Sequence, residues 1–348
     1  MRRRLGPPGG APIIVILVTL LAAAPAPMGQ QPEGVFKGSV DLVRVTATVT
    51  DRDGRFVSGL RKEDFAIFED GVRQEISQFS SERAPVSLGI LLDASGSMTA
   101  EKMDAARDAI NRFIFELLDK DDELFFVEFA STPALTQDWT TDRQLISRAV
   151  RDVRATGNTA LYDAIATAIP KAATGMHRKK ALLVISDGND SHSRTTIDVL
   201  RQAIRESEVL VYALGIDSTA RPEPRSQPRR LPVPQPFPVP GRRPGIELPR
   251  LPPQVTPPIA RTFPRGRDER VNGDALRRIT DDTGGLTEIV RGAAGLPRAT
   301  ARIADELSRQ YDLGYVSSHE KDGKWHTIHV DVPGRRVVVR ARTGFHAS

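Results

Sequence analysis

The sequence predicts an α/β protein: a doubly wound, mostly parallel sheet, with a small N-terminal β module and a C-terminal β-hairpin. Three observations carry this. Residues 86–92, 181–186 and 209–216 are short, nearly continuous apolar runs, which read as strands buried on both faces. Between them lie stretches of helical periodicity, and strands alternating with helices imply a parallel sheet covered on both sides. Near both ends of the chain the period changes to two, as in half-buried antiparallel strands.

Residues 43–50 alternate apolar and polar side chains, and Asp53-Gly54 is a turn signal. Residues 65–69 and 74–79 then flank Asp70-Gly71, a strong hairpin cue. Residues 36–84 are therefore expected to form a small β module, too short to be stable alone. The α/β unit begins at residue 85. A helix over about 100–118 places Met103, Ala106, Ile110, Phe113, Ile114 and Leu117 on one face. A strand at 124–129 follows, then helices near 142–154 and 159–174, the strand at 181–186, a helix near 195–207 and the strand at 209–216.

The pattern breaks at residues 218–267, which hold 15 of the 26 prolines. Proline at this density favours extended backbone and cannot build a core, so the segment reads as a disordered Pro/Arg-rich insertion. Helices over 272–281 and 296–309 and a strand at 311–316 resume the α/β grammar. The expected domain is thus assembled from residues 85–217 and 268–318. Residues 326–332 and 336–340 flank Pro333-Gly334 and read as a hairpin within 319–348, pairing with the N-terminal module or a sheet edge.

Residues 1–28 have the form of a signal peptide or N-terminal anchor: Arg2-Arg3-Arg4, an apolar stretch over 13–21, then Ala22-Ala23-Ala24. The apolar stretch is shorter than the roughly 20 residues of a membrane span. Prolines follow the candidate cleavage sites, so membrane attachment through an uncleaved segment stays open. The expected location is extracytoplasmic, periplasmic or secreted. No cysteine is present, which excludes disulfides, thiolate metal sites and a cysteine nucleophile. The net charge of +5 does not point to nucleic acid, because it is concentrated outside the predicted fold. Residues 221–266 carry nine arginines against Glu223 and Glu247, with Phe237 and Phe263 as their only rings.

The functional signal lies at the carboxyl ends of the strands, where open α/β sheets place their ligands. Asp93-Ala94-Ser95-Gly96-Ser97 follows the first buried run and presents a carboxylate and two hydroxyls at alternate positions. Thr159 stands at the start of a helix, and Asp187 directly follows the strand at 181–186. An oxygen-only set of this kind suits a hard cation, Mg²⁺ ahead of Zn²⁺. Each residue also has an ordinary structural use: Ser97 or Thr99 as a helix cap, Thr159 likewise, and Asp187-Gly188 as a turn.

The D-x-S-x-S … T … D constellation resembles the metal-ion-dependent adhesion site of von Willebrand factor A domains, whose sheet is Rossmann-like. The resemblance implies that Ser95, Ser97 and Thr159 coordinate the ion directly and that Asp93 and Asp187 act through bound water. It implies Mg²⁺, with Mn²⁺ or Ca²⁺ as alternatives, and a protein partner that offers an Asp or Glu carboxylate. The wider layout resembles a family related to these domains and first described from Acidobacteria. The resemblance rests on residues 49–54, 60–71, 92–98, 309–315 and 339–345, and leaves out only the Pro/Arg insertion between residues 36 and 346.

Enzymatic chemistry has little to rest on. No GxSxG elbow, HExxH pair or phosphate-binding loop occurs. Asp163 and Asp190 are the nominal general bases, and Asp163 reads better as a first-turn helix acid. His177, His192 and His319 read as solvated surface, while His326 and His329 point to opposite faces of one strand. The expected function is that of an exported, non-catalytic binding protein. The alternatives are an envelope scaffold acting through the basic Pro/Arg loop and a metal-dependent hydrolase.

Overall fold

The computed structural model describes residues 42–217, apart from Gly188, and 271–347, apart from Glu320. The expected signal segment at 1–28 and the Pro/Arg insertion at 218–267 lie outside the described residues. In chain order the elements are β1 (Leu42–Thr50), β2 (Ala66–Glu69), β3 (Val72–Gln74), β4 (Ile76–Ser80), β5 (Val86–Asp93), α1 (Ala100–Arg112), β6 (Glu123–Phe129) and β7 (Pro133–Thr140). They continue with α2 (Arg143–Asp152), α3 (Leu161–Ala173), β8 (Lys179–Ser186), α4 (Ile197–Glu206), β9 (Leu210–Asp217), α5 (Gly273–Thr280) and β10 (Thr287–Arg291). The last are α6 (Leu296–Ser308), β11 (Tyr311–Val316), β12 (Trp325–Asp331), β13 (Val338–Arg340) and β14 (Gly344–His346).

The central sheet has the order β10-β9-β8-β5-β6-β7 and is parallel except for the β6–β7 pair. Every residue of β5 is buried. Its side chains alternate between two cores. Leu88, Ile90 and Leu92 pack with Met103, Ile110, Phe113, Ile303 and Leu307 from the α1 and α6 side. Leu91 faces the other way, with Phe125, Leu161, Ile165, Leu200 and Leu276 from the α3, α4 and α5 side. Each of these fully buried side chains contributes about 1.5–3 kcal/mol, which makes β5 the energetic spine of the unit. The fold is the mixed α/β class expected from the sequence.

Both edge strands of the sheet are additions to that expectation. β7 is at most half-buried and opens on Pro133, a residue tolerated at the first position of an edge strand. β10 has a single buried residue, Val290. Neither forms the apolar run that marks an inner strand.

The chain ends build two four-stranded sheets, β13-β1-β11-β4 and β14-β12-β2-β3, which share one core that includes Val45, Ile67, Leu313, Tyr315, Val330 and Phe345. Asp70 and Gly71 form the two-residue β2–β3 turn with φ of 48° and 81°, the left-handed pair that hairpins of this length demand. The second predicted strand of that hairpin is divided. Val72–Gln74 pairs with β2, while Ile76–Ser80 pairs with β11 in the other sheet.

Two further pairings differ from expectation. β11, placed with the α/β unit by its position in sequence, lies antiparallel between β1 and β4. Its buried side chains alternate, Tyr311, Leu313 and Tyr315, which suits a strand with one covered face. The strands on either side of Pro333-Gly334 do not pair with each other. β12 pairs with β14 and β2, and β13 pairs with β1. The turn still reverses the chain, with Arg335 N–H donating to Val332 O at 3.3 Å, but it delivers the chain to the facing sheet.

A buried polar network fastens the small sheets to the α/β unit. Glu306 on α6 is fully buried and accepts hydrogen bonds from Arg340 on β13, from Thr48 Oγ1 on β1 at 3.2 Å and from Tyr212 Oη on β9 at 3.3 Å. Gln310 Nε2 donates to Tyr212 Oη at 2.9 Å and to Thr48 Oγ1 at 3.3 Å. Burial pushes the Glu306 carboxyl up, against the opposing pull of Arg340. Removing the cation alone leaves a buried, uncompensated carboxylate. Arg340→Leu is therefore expected to cost about 3–5 kcal/mol in urea denaturation, and adding Glu306→Gln to recover much of that loss.

Candidate metal-binding site

β5 and β8 are adjacent and parallel, so Asp93 and Asp187 emerge at the same edge of the sheet. Asp93 is fully buried, and Ser95, Thr159 and Asp187 are nearly so. Asp93 Oδ1 accepts the Ser95 N–H at 2.8 Å, and its Oδ2 accepts Ser186 Oγ at 2.5 Å. Held this way, the loop brings Ser95 Oγ and Ser97 Oγ to 2.9 Å.

Thr159 reaches the same place through the backbone of its loop. Thr156 N–H donates to Ala94 O at 2.7 Å, and Gly96 N–H to Gly157 O at 3.0 Å. Gly157 sits at a φ of 80°, a turn that brings its carbonyl against the serine loop. On its other side Thr159 O accepts the N–H groups of Ser191 and His192, each at 2.9 Å. Thr159 thus lies between the loop after β5 and the loop after β8.

Asp187 does hold its own turn, its Oδ1 accepting the Asn189 N–H at 3.4 Å, while the two helix-cap uses fall to other residues than Ser97 and Thr159. Thr99 is the N-cap of α1 and accepts from Lys102 N at 3.4 Å, which leaves Ser97 to Ser95. The N-cap of α3 is Ala160, not Thr159. Asp190 Oδ1 accepts Tyr162 N–H at 3.3 Å and Ser193 Oγ at 2.5 Å. Asp163 accepts the N–H groups of Arg194 at 3.0 Å and Thr195 at 2.9 Å. Both nominal bases therefore hold loops in place.

Two residues at the site have no counterpart in the sequence reading. Ser186, the last residue of β8, orients Asp93. Lys102, in the first turn of α1, donates to Ser97 O at 3.2 Å and brings its ammonium within 4.0 Å of Asp187 Oδ2. A serine beside Asp187 and a lysine three residues after Thr99 are unremarkable in sequence. Only the folded loops give them a role.

The residues present fit a hard divalent ion. Neighbouring ligands of an octahedral ion with bonds of about 2.1 Å lie about 3 Å apart, and the two serine hydroxyls stand at 2.9 Å. All five candidate side chains offer oxygen, and two are buried carboxylates whose charge calls for a cation. Burial, with the Asp187 charge adding to it, pushes Asp93 from 3.8 up to about 6 against the hydrogen bonds from Ser186 and Ser95.

Between those two values the folded chain holds a proton that the unfolded chain has released. In metal-free protein, stability is therefore expected to fall by up to about 3 kcal/mol as pH rises from about 4 to about 6. Denaturant unfolding across this range should show the slope in the wild type, and Asp93→Asn should flatten it.

Residues 88–189 match the family model of the von Willebrand factor type A domain. Among solved structures, the chain is similar to a von Willebrand factor type A protein from Catenulispora acidiphila, with 14% identity and a TM-score of 0.46, covering 90% of this chain and 74% of that one. It is similar to the conserved hypothetical protein BatB from Bacteroides thetaiotaomicron, with 19% identity and a TM-score of 0.44, over 64% and 98% of the two chains. It is also similar to the vWF domain of the type V pili tip protein Mfa5 from Porphyromonas gingivalis, with 11% identity and a TM-score of 0.42, over 64% and 95%. No curated protein matches the chain.

Proposed function

We propose that the von Willebrand factor type A domain carried by this chain is a non-catalytic binding module, in which Asp93, Ser95, Ser97, Thr159 and Asp187 hold Mg²⁺ and grip a carboxylate of a protein partner. A protein-interaction role accords with the domain class. The finer reading rests above all on one observation: two hydroxyls at ligand spacing, set beside two buried carboxylates at one edge of a parallel sheet.

The residues divide the work. Ser95 and Ser97 point their hydroxyls to a common place because Asp93 and Gly157 fix their loop from both sides. Asp93 is locked by Ser186 and Ser95, so its carboxylate is better suited to orienting bound water than to swinging onto the ion. Asp187 supplies the second negative charge, and Lys102 beside it tempers that charge without cancelling it. A bound Mg²⁺ supplies a hard positive centre to which an Asp or Glu of a partner can attach. The surrounding loops exclude or admit partners by shape.

Asp163 and Asp190 spend their oxygens on backbone and hydroxyl donors, which supports binding over hydrolysis. Among the described residues no helix is long and apolar enough to cross a membrane. Export and any membrane attachment are proposed from the arginine-led apolar segment at the N-terminus.

Titration of Mg²⁺ or Mn²⁺ into the purified chain by calorimetry should show one saturable site that Asp93→Ala or Ser95→Ala abolishes. Equal heats from wild type and both variants would remove the metal from the proposal. Retention of a partner in EDTA would remove the carboxylate grip.

A further inference from the structure

The structure assigns a second metal site, independent of the first: we propose that Glu69, His319 and His326 bind a zinc-class ion that ties β2 and β12 to the segment following β11. One nitrogen from each histidine and one carboxylate oxygen of Glu69 all lie within 4.8 Å of one another. Glu69 comes from a part of the sequence distant from the two histidines. Glu69 ends β2, His319 follows β11, and His326 lies in β12.

The charge balance of the cluster calls for a cation. Glu69 is fully buried, and one of its oxygens, Oε2, has no hydrogen bond within 3.5 Å, with the buried Tyr315 hydroxyl interacting with the same carboxylate. The other accepts from Ser317 Oγ at 2.7 Å and sits 2.9 Å from His319 Nδ1. His326 is clasped at both nitrogens, by Asp70 Oδ2 at 2.8 Å and Asp322 Oδ1 at 3.1 Å. Three carboxylates therefore surround two imidazoles, and one of the three, Asp322, also has the exposed Lys324 ammonium at 3.3 Å. The imidazoles lie against each other with their centres 4.3 Å apart and their planes tilted by 33°. Two imidazolium ions at that separation would repel, so protonating both is a poor way to balance the acids. A divalent ion does it with both rings neutral.

Imidazole nitrogens with a carboxylate suit Zn²⁺ and its transition-metal neighbours, where the oxygen-only set at Asp93 suits Mg²⁺. The second nitrogen of a metal-bound histidine ordinarily keeps a carboxylate or carbonyl partner that fixes the ring; at His326 an ion would take the place of one of the two carboxylates, Asp70 or Asp322, and the other would stay to fix the ring. The His319 side chain is 38% exposed, which gives an ion a way in. The sequence reading of His319 as solvated surface misses this, because its partner lies 250 residues away.

The test is a calorimetric titration of the full chain, stripped of metal, with Zn²⁺ alone, repeated with Co²⁺ to read the ligand set from its visible spectrum. One equivalent should bind to the wild type and to Asp93→Ala alike, so that failure here and failure of the Mg²⁺ proposal are told apart. Glu69→Gln and His319→Ala should each weaken Zn²⁺ binding by more than about tenfold. Zn²⁺ should also raise the melting temperature of the wild type and leave that of His319→Ala unchanged. His319→Ala alters a partly exposed side chain and keeps the test valid if Glu69→Gln fails to fold. Absence of Zn²⁺ binding in the wild type, or binding that both variants retain unchanged, would overturn the assignment.

Discussion

Parallel pairing of β5 with β6 on one side and β8 on the other is the constraint from which the rest of the molecule follows. Two parallel neighbours oblige the chain to cross back over the sheet each time, and the crossings become the helices that bury both faces. The same geometry sends every carboxyl end of the parallel strands to one edge. Asp93 and Asp187, 94 positions apart in sequence, become neighbours without any contact having to be made between them. A site built this way is rigid, because moving one loop means moving a strand whose every side chain is buried.

The opposite end of the same sheet is where the small β elements attach. Lys179, the first residue of β8, is buried and donates to Leu307 O at 3.1 Å, and burial pulls its ammonium pKa down. Glu306, the residue before Leu307 on α6, collects Thr48, Tyr212 and Arg340 from three different elements. A polar knot of this kind adds little net stability when complete and costs much when one partner is lost. It specifies which faces meet. The two small sheets contain strands from both ends of the described chain, so neither end could form its sheet alone.

The two candidate metal clusters have different characters that follow from their surroundings. The site at Asp93 lies among hydroxyls and loop backbone at the carboxyl edge of the sheet. The cluster at Glu69 lies against the core shared by the two small sheets, with Phe345 5.6 Å from His326, and only His319 among its three residues is exposed.

The sequence by itself determined the central fold and which residues stand at the carboxyl edge of its sheet. Inner strands of a parallel sheet must be apolar on both faces, and a loop following such a strand must sit at the sheet's carboxyl edge, so Asp93, Ser95, Ser97 and Asp187 could be located from local pattern alone. The hairpin at Asp70-Gly71 was legible for a similar reason, since its two left-handed residues are a local demand. Edge strands β7 and β10 were not, because a strand covered on one side by solvent carries no distinctive run. The exchange of β4, β11 and β13 between sheets was decided by tertiary structure, as were Lys102 and Ser186 at the first site and the meeting of Glu69 with His319. Period-two alternation says that a strand has one buried face but not which sheet will bury it, and a polar side chain's partner is chosen by packing across hundreds of residues, where sequence spacing holds no information.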